Sequence, residues 1–184
     1  AEHNLADPST ISLVCEYCDN VIVWDQQGMR LSGKQSRLVE GFSRFYRGAT
    51  GTICGEQFQV LGRVRYSFGR GFWDEWYLIL GSGKKVWVTE DNHEFALQEM
   101  QPSSNQFEHY SRYSAGQDIK VRGEAFRIQE IGTAVCLGIE GALPKEILPQ
   151  ETCPYIDGSS FDGTKTFGLE YDGEQENSPP SLFI

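Results

Sequence analysis

The stretch that decides the fold occurs twice, first as Gly55-Glu56-Gln57-Phe58-Gln59-Val60 and again as Gly123-Glu124-Ala125-Phe126-Arg127-Ile128. In each copy a glycine is followed by apolar side chains that alternate with polar ones. This pattern is typical of a tight hairpin turn that leads into a half-buried strand. A repeat of this kind predicts two related β modules within one chain.

Glycine-rich turns continue between apolar runs after the first copy. Gly69-Arg70-Gly71 and Gly81-Ser82-Gly83 separate the runs 72–80 and 86–89. Turns at this spacing are typical of small antiparallel sandwiches and barrels. We therefore expect a mainly β protein of two tandem small antiparallel β-barrel or sandwich modules, related by an internal repeat and preceded by a zinc-knuckle remnant.

The composition along the chain divides it into five expected segments. Proline and serine enrichment after residue 101 predicts a linker, and an acidic, proline-containing end predicts a frayed tail. The expected segments are a leader with the Cys-x-x-Cys knuckle (1–47), a first β module (48–101), a linker (102–115), a second β module (116–175) and a tail (176–184).

Cys15 and Cys18 form a Cys-x-x-Cys turn between two strand-like runs, 11–14 and 21–24. This is the shape of a zinc knuckle, in which both thiolates face one metal ion. We predict these two cysteines as zinc ligands, with a leftover thiol pair as the alternative. Structural zinc needs two further ligands, and no spacing selects among the remaining candidates His3, Cys54, His93 and Cys153.

The charge of the chain argues against a nucleic-acid partner. Sixteen basic and 26 acidic residues give a net charge of −10. The excess is greatest over residues 116–184, which carry 5 basic and 12 acidic groups. Binding to phosphates needs clustered Lys and Arg, so a basic protein surface is the more plausible partner, unless the charge serves solubility alone.

Neither a membrane-spanning run nor a signal peptide is expected from the sequence. No apolar run approaches the roughly 20 residues that cross a bilayer, and residues 1–5 lack a basic start and an apolar stretch. Five cysteines, an odd number, also argue against a disulfide framework. We expect a cytoplasmic protein that is not transmembrane.

The aromatic block Trp73-Asp74-Glu75-Trp76-Tyr77 is read as a strand. Alternation then places Trp73, Glu75 and Tyr77 on one face and Asp74 and Trp76 on the other. Asp74 and Glu75 therefore cannot form the facing carboxylate pair of a hydrolase. We expect one of the two to pair with an arginine of the preceding strand, Arg63 or Arg65.

One face of this block must be core, and the other is either core or an exposed platform for a partner. The predicted contact surface comprises Trp73, Trp76, Tyr77 and Trp87, with Glu75 beside them. A groove between the modules, lined by Glu140 and Tyr171, is the second candidate. Neither His93 nor His109 accompanies a recognisable nucleophile, so no catalytic residue is predicted.

The first half resembles the DUF4178 family through Phe58-Gln59-Val60-Leu61-Gly62-Arg63-Val64-Arg65-Tyr66 and the Trp73-Asp74-Glu75-Trp76 block. In the second half, Ile139–Pro144 and Phe167–Tyr171 are similar to the family's later part. The resemblance implies a bacterial protein of unknown biochemical function, often encoded near a spermidine-synthase-like protein and small membrane proteins. It also implies zinc-ribbon-like knuckles, although Glu16 and Asp19 replace the proline and glycine of the family pattern.

These observations favour a non-enzymatic binding or scaffold component of a bacterial complex, with a protein partner and a possible link to a membrane-protein complex. The alternative is an enzyme or binder that acts on polyamines or other small cations, which the acidic second half would attract. A deep pocket with several inward carboxylates would favour this alternative. A flat aromatic patch would favour the scaffold.

Overall fold

The computed structural model describes residues 8–26, 28–39, 41, 43–102, 107–173 and 179–184. Within these residues the protein is mainly β, and the single helical element is a 3₁₀ turn, Tyr110–Arg112. The strands are β1 (Ser12–Val14), β2 (Asn20–Asp25), β3 (Gly28–Gln35), β4 (Thr50–Ile53), β5 (Glu56–Ser67), β6 (Phe72–Leu80), β7 (Lys85–Asp91), β8 (Glu94–Gln98), β9 (Met100–Gln101), β10 (Asp118–Val121), β11 (Glu124–Leu143), β12 (Thr152–Ser160), β13 (Thr166–Glu170) and β14 (Ser181–Phe183).

All fourteen strands belong to one antiparallel sheet. Its main path runs β8-β7-β6-β5-β11-β12-β13-β14-β9, while β4 pairs with β5 and β10 pairs with β11. The remaining strands, β1 to β3, branch from the end of β11. The sheet does not close into a barrel. On one side of the central β5–β11 pair lie β6, β7 and β8 in chain order, and on the other lie β12, β13 and β14, followed by β9 of the first half.

The halves do not form two small closed barrels, because β5 and β11 join both halves in one open sheet. Val64 lies opposite Ile139, and Gly62 lies opposite Gly141. Both strands are long, with 12 and 20 residues. An unpaired edge of that length would expose its backbone N–H and C=O groups, so the two strands satisfy each other.

The two predicted hairpin corners are confirmed. Cys54 and Gly55 connect β4 to β5 with φ of 49° and 83°, and Arg122 and Gly123 connect β10 to β11 with φ of 52° and 86°. Two central residues with positive φ define a type I′ turn, whose twist matches that of the flanking strands. Glycine at the second position avoids the strain that a side chain would meet there.

The halves share one central core. Val64 and Tyr77 of the first half pack in the same buried cluster as Ile139, Tyr155 and Phe183 of the second half. Two further clusters lie away from this junction, one in each half. Because the central cluster draws on both halves, its burial and the β5–β11 pairing stabilise each other.

The expected tail and linker contain ordered, packed residues. Residues 179–184 include β14, where Leu182 and Phe183 are buried against the sheet. Their apolar side chains explain why this part is not frayed, while residues 176–178 lie outside the described residues. In the linker, Phe107 and Tyr110 pack on the buried cluster of the second half that contains Phe126 and Leu169. Residues 103–106 are not described. The first seven residues of the leader also lie outside the described part.

No helix in the described part of the chain is long and apolar enough to cross a membrane.

We predict that Gly62→Ala weakens the junction between the halves. A Cβ at this position would lie 2.4 Å from the Ala142 carbonyl oxygen, which belongs to backbone and cannot swing away. Overpacking of this kind lowers the free energy of unfolding by about 1–3 kcal/mol. Gly81→Ala is the matched control, because the nearest atom would be 3.7 Å away. Urea unfolding of both variants checks this, and equal midpoints would contradict the required close approach.

Candidate functional site

A cavity of about 210 Å³ lies between the two halves of the sheet. One wall comes from β6, β7 and β8, and the facing wall comes from β12 and β13. The alternation of each strand turns every second side chain toward this space. Five carboxylate residues line the cavity, and the lining described by the structure contains no Lys or Arg: Glu75, Asp91, Glu130, Asp157 and Glu170. We call this space the acidic cavity.

Aromatic rings form much of the remaining lining, namely Tyr66, Phe68, Trp73, Tyr155, Phe167 and Phe183. Trp73 lies at the centre of this group, with its ring 5.3 Å from Tyr66 and 5.3 Å, edge-on, from Tyr155. Gly132 makes room for Tyr155, because a Cβ there would lie 2.6 Å from the phenol oxygen. Aromatic faces carry negative electrostatic potential and attract cations.

At the inner end of the cavity, Glu75 and Glu170 belong to the lining, and Glu170 binds Lys145, which lies behind it and outside the lining. Lys145 Nζ donates a hydrogen bond to Glu170 Oε2, and it lies 5.2 Å from the centre of the Phe183 ring. Trp73 Nε1 donates to Glu75 Oε1 at 3.0 Å. The second oxygen of Glu75, Oε2, is buried and accepts no hydrogen bond. Such an unpaired buried acceptor is costly and is often found at functional sites.

Burial and the neighbouring Glu170 carboxylate raise the pKa of Glu75 well above its usual range, against the opposing effect of Lys145. Burial would lower the pKa of Lys145, but the carboxylates of Glu170 and Glu75 outweigh it and raise that pKa. Lys145 is therefore an ammonium at neutral pH. A protonated amine cannot act as a nucleophile.

Asp157 lies nearer the mouth of the cavity, directly opposite Glu130 in the β11–β12 ladder. The residue is exposed to solvent, although protein atoms crowd the space around its carboxyl group. Burial, followed by the charges of Glu170 and Glu130, raises the pKa of Asp157 to about 7. Tyr155 Oη donates to Glu130 Oε1 at 2.9 Å, which fixes the outer carboxylate. Asp157 therefore changes its charge near neutral pH.

The thiols near the cavity are not activated. Burial raises the pKa of Cys136 to about 12 and that of Cys153 further still. A protonated, buried thiol is a weak nucleophile and a poor metal ligand. The arrangement of this cavity is therefore suited to holding positive charge rather than to covalent chemistry.

The opposite face of β6 carries a separate ionic cluster. Asp74 accepts four hydrogen bonds, two at 2.9 Å from Arg63 and two at 2.8 Å from Arg65. The predicted pairing with the preceding strand is thus confirmed, and both arginines take part. The predicted alternation of Asp74 and Glu75 is confirmed as well. Asp74 is fully satisfied and has a structural role.

The expectation of an exposed aromatic platform is wrong for Trp76, Tyr77 and Trp87, which are all buried. Tyr77 and Trp87 pack together beneath the cavity, with ring centres 5.0 Å apart. Trp76 lies on the other face, where Phe45 covers it. Both faces of β6 are covered, one by the second half of the sheet and one by the chain before β4. Only Trp73 of these four rings lines the cavity.

Glu140 and Tyr171 do not form the expected common groove. Glu140 lies opposite Arg63 in the β5–β11 ladder and therefore faces the ionic cluster. Tyr171 follows β13 and donates from its hydroxyl to the Glu108 carbonyl at 3.0 Å. Because the two side chains belong to different faces and clefts, this groove is a wrong prediction.

Cys15 and Cys18 lie in the turn between β1 and β2. Hydrogen bonds from the backbone amides of Tyr17 and Cys18 lower the pKa of Cys15. Asp19 has φ of 56°, so it adopts the left-handed conformation that favours glycine. Among the described residues, no three His, Cys, Asp or Glu side chains converge as metal ligands. Zinc therefore remains a prediction, and His3 lies outside the described residues.

Sequence reasoning missed Asp157, Glu170 and Lys145 as site residues. Residues 166–171 were recognised as an alternating strand, and this alternation already places Gly168 and Glu170 on the face opposite Phe167 and Leu169. A charged residue that alternates with buried apolar residues along one strand is a usable signal of a polar site on the other face of that strand. Lys145 follows β11 in a loop, and no local pattern marks it.

A protein-family model described as a domain of unknown function, DUF4178, matches residues 47–179. No curated protein and no solved structure matches the chain. The matched range runs from just before β4 to just before β14, so it contains every lining residue of the acidic cavity except Phe183, while the Cys15 turn lies before it. Because the match covers well over half of the sequence, the chain belongs to the DUF4178 family.

Proposed function

We propose that this protein binds a small organic cation with a protonated amine in the acidic cavity. The observation that carries the proposal is the lining, with five carboxylates, no Lys or Arg among its described residues and rings on several sides. Carboxylates accept the N–H groups of an ammonium, and aromatic faces attract its charge. An anionic ligand would be repelled by the carboxylates and would meet no Lys or Arg among the described lining residues.

An organic cation fits the cavity better than a bare metal ion does. The carboxylates are spread along the cavity, and no three of the described acidic, His or Cys side chains converge as ligands. The rings add apolar surface, which an alkyl chain covers and a hydrated metal ion does not. Polyamines are the larger members of this ligand class.

Binding rather than catalysis is the activity that the groups of the cavity favour. Lys145 is held as an ammonium by Glu170 and Glu75, and the nearby thiols stay protonated. Covalent catalysis needs an activated nucleophile. The titrating carboxylate Asp157 serves a binding site equally well, because its charge attracts the ligand.

A scaffold role is the second candidate, and the β2–β3 hairpin supports it. Met29 and Leu31 of β3 are 65% and 66% exposed, and β3 pairs with β2 alone within the described sheet. An edge strand with apolar side chains is a common site for a protein partner. A partner in a bacterial, membrane-associated complex is the form of this role that the family resemblance implies.

We also propose three further properties of the protein: two related modules, half of a zinc-ribbon site and a cytoplasmic location. Related modules are supported by the matching type I′ turns at Gly55 and Gly123 and by the mirrored strand order around β5 and β11. Half of a zinc-ribbon site is supported by the amide-lined turn at Cys15 and Cys18. A cytoplasmic location is supported by five free thiols, since reducing compartments keep cysteines in this state.

We predict that n-butylammonium binds and that Asp157→Asn weakens its binding about tenfold. Asp157 acts on the ligand through its charge, since two opposite unit charges about 10 Å apart attract each other by roughly 1.7 kcal/mol at an effective dielectric constant of about 20, and about 1.4 kcal/mol corresponds to a factor of ten in affinity. Glu94→Gln is the control, because this exposed carboxylate of β8 lies outside the cavity lining. Titration calorimetry measures the affinity. Absence of heat at millimolar ligand, or equal binding of neutral n-butanol, would contradict the proposed function.

The affinity is predicted to rise as the pH is raised through about 7, because Asp157 then ionises. Its protonated form, which prevails at lower pH, offers no charge to the ligand. In Asp157→Asn the rise around pH 7 should be smaller, because only the other titrating groups of the site then contribute to it. Calorimetry over a pH series checks this, and an unchanged pH profile in the variant would show that Asp157 does not titrate at the site.

For the scaffold role, we predict that Leu31→Glu removes a co-purifying partner without disturbing the fold. Substitutions of exposed residues change the free energy of unfolding by about 0.5 kcal/mol or less. Lys120→Glu on the exposed side of β10 is a control for added negative charge. Affinity purification with quantitative mass spectrometry compares the variants. A partner that stays bound to Leu31→Glu excludes this edge as its site.

A further inference from the structure

We propose that the organic cation enters the acidic cavity in exchange for one proton, which Glu75 shares with Glu170 before the cation binds. This inference rests on the proposed function and adds how the site is controlled. It follows from the charges and hydrogen bonds at the inner end of the cavity.

The charges at the inner end do not balance when both carboxyl groups are ionised. Glu75 and Glu170 then contribute two negative charges, and Lys145 contributes one positive charge. Glu75 is only 7% exposed, so the remaining negative charge is removed from water. A buried carboxylate without a partner is strongly unfavourable, and proteins usually avoid it by letting the group bind a proton.

The hydrogen bonds of Glu75 indicate where the proton lies. One oxygen accepts from Trp73, and the other has no donor. The Glu170 carboxyl group lies within hydrogen-bonding reach of Glu75. Two carboxylates are both acceptors and cannot bond to each other, whereas one proton turns Glu75 into a donor to Glu170. That proton gives the unpaired oxygen of Glu75 a hydrogen bond and at the same time neutralises the excess negative charge.

Among the described groups around Glu75, no second cation neutralises the excess negative charge. They come from every element packed around it: Tyr66 on β5, Trp73 on β6, Thr89 on β7, Cys136 on β11, Lys145 after β11, Cys153 on β12 and Glu170 on β13. Burial raises the pKa of Tyr66 well above its usual range, and that of Cys153 likewise. Lys145 is thus the one cation among these described neighbours.

Lys145 is an unsuitable source of the exchanged proton. Its ammonium is bound to Glu170 and lies 5.6 Å and 5.2 Å from the ring centres of Trp87 and Phe183. Both contacts favour the charged form. Glu75 is the suitable source, since burial and Glu170 raise its pKa well above that of an ordinary glutamate.

The exchange is a simple acid dissociation coupled to binding. The O–H bond of Glu75 breaks, both bonding electrons stay on the carboxylate, and the proton passes to a buffer base. The ammonium of the ligand then replaces the proton between Glu75 and Glu170. No electron is transferred to another molecule, and the net charge of the inner end stays the same.

The test measures proton release when n-butylammonium binds. Calorimetric titrations in two buffers with different enthalpies of ionisation give the number of protons released per bound cation. At about pH 8, Asp157 with its pKa of about 7 is already mostly ionised. We expect close to one proton per cation for the natural protein and for Asp157→Asn, and none for Glu75→Gln. Glu75→Gln is expected to keep the unfolding midpoint, since its amide can donate to Glu170.

Infrared difference spectra provide a second readout that does not depend on folding effects. The natural protein without ligand should show the C=O band of a protonated carboxyl group, which disappears when the cation binds and is absent from Glu75→Gln. Binding without proton release, or absence of this band, overturns the exchange and leaves the cation site standing. If n-butylammonium does not bind, the proposed function fails and the exchange fails with it.

Discussion

The pairing of β5 with β11 is the constraint on which the cavity depends. Backbone hydrogen bonds between these strands hold the halves together, and Gly62 opposite Gly141 lets the backbones approach closely. The apolar side chains near the junction then cover each other in one core. Farther from it, the polar side chains of β6 and β13 face each other across the cavity. Neither half alone encloses an inner end, since Glu75 and Glu170 belong to different halves.

Asp74 and Glu75 are neighbours in sequence but lie in opposite electrostatic environments. Asp74 receives four hydrogen bonds from two arginines, so its charge is compensated where it is buried. Glu75 receives one hydrogen bond, and its nearest charged neighbours include another carboxylate. Strand alternation alone separates them by turning one to each face. The same strand thus satisfies one buried carboxylate completely at Asp74 and leaves an oxygen of the next one, Glu75, without a donor, which is the kind of local inconsistency expected at functional sites.

Local patterns were enough to predict the hairpin turns, the alternation of β6 and the pairing of Asp74 with the preceding strand. Each of these features depends on residues that are close in sequence. The exposure of Trp76 and Trp87 was predicted wrongly because burial depends on what packs over a strand, and the covering elements are distant in the chain. For the same reason Lys145 and Glu170 were missed. Their meeting with Glu75 is set by the β5–β11 junction, which alternation does not reveal.

Under the proposed function, Lys145 limits the inner end to one uncompensated negative charge. Without it, Glu75 and Glu170 would carry two negative charges and would favour two protons or a divalent ion. With Lys145 bound to Glu170, one negative charge remains, which one proton or one ammonium balances. The rings of Trp87 and Phe183 hold the lysine in place without adding charge. In such a site, a ligand with more than one amine would place its first charge at Glu75 and its next toward Asp157 and Glu130, which are exposed residues with no Lys or Arg beside them in the described lining.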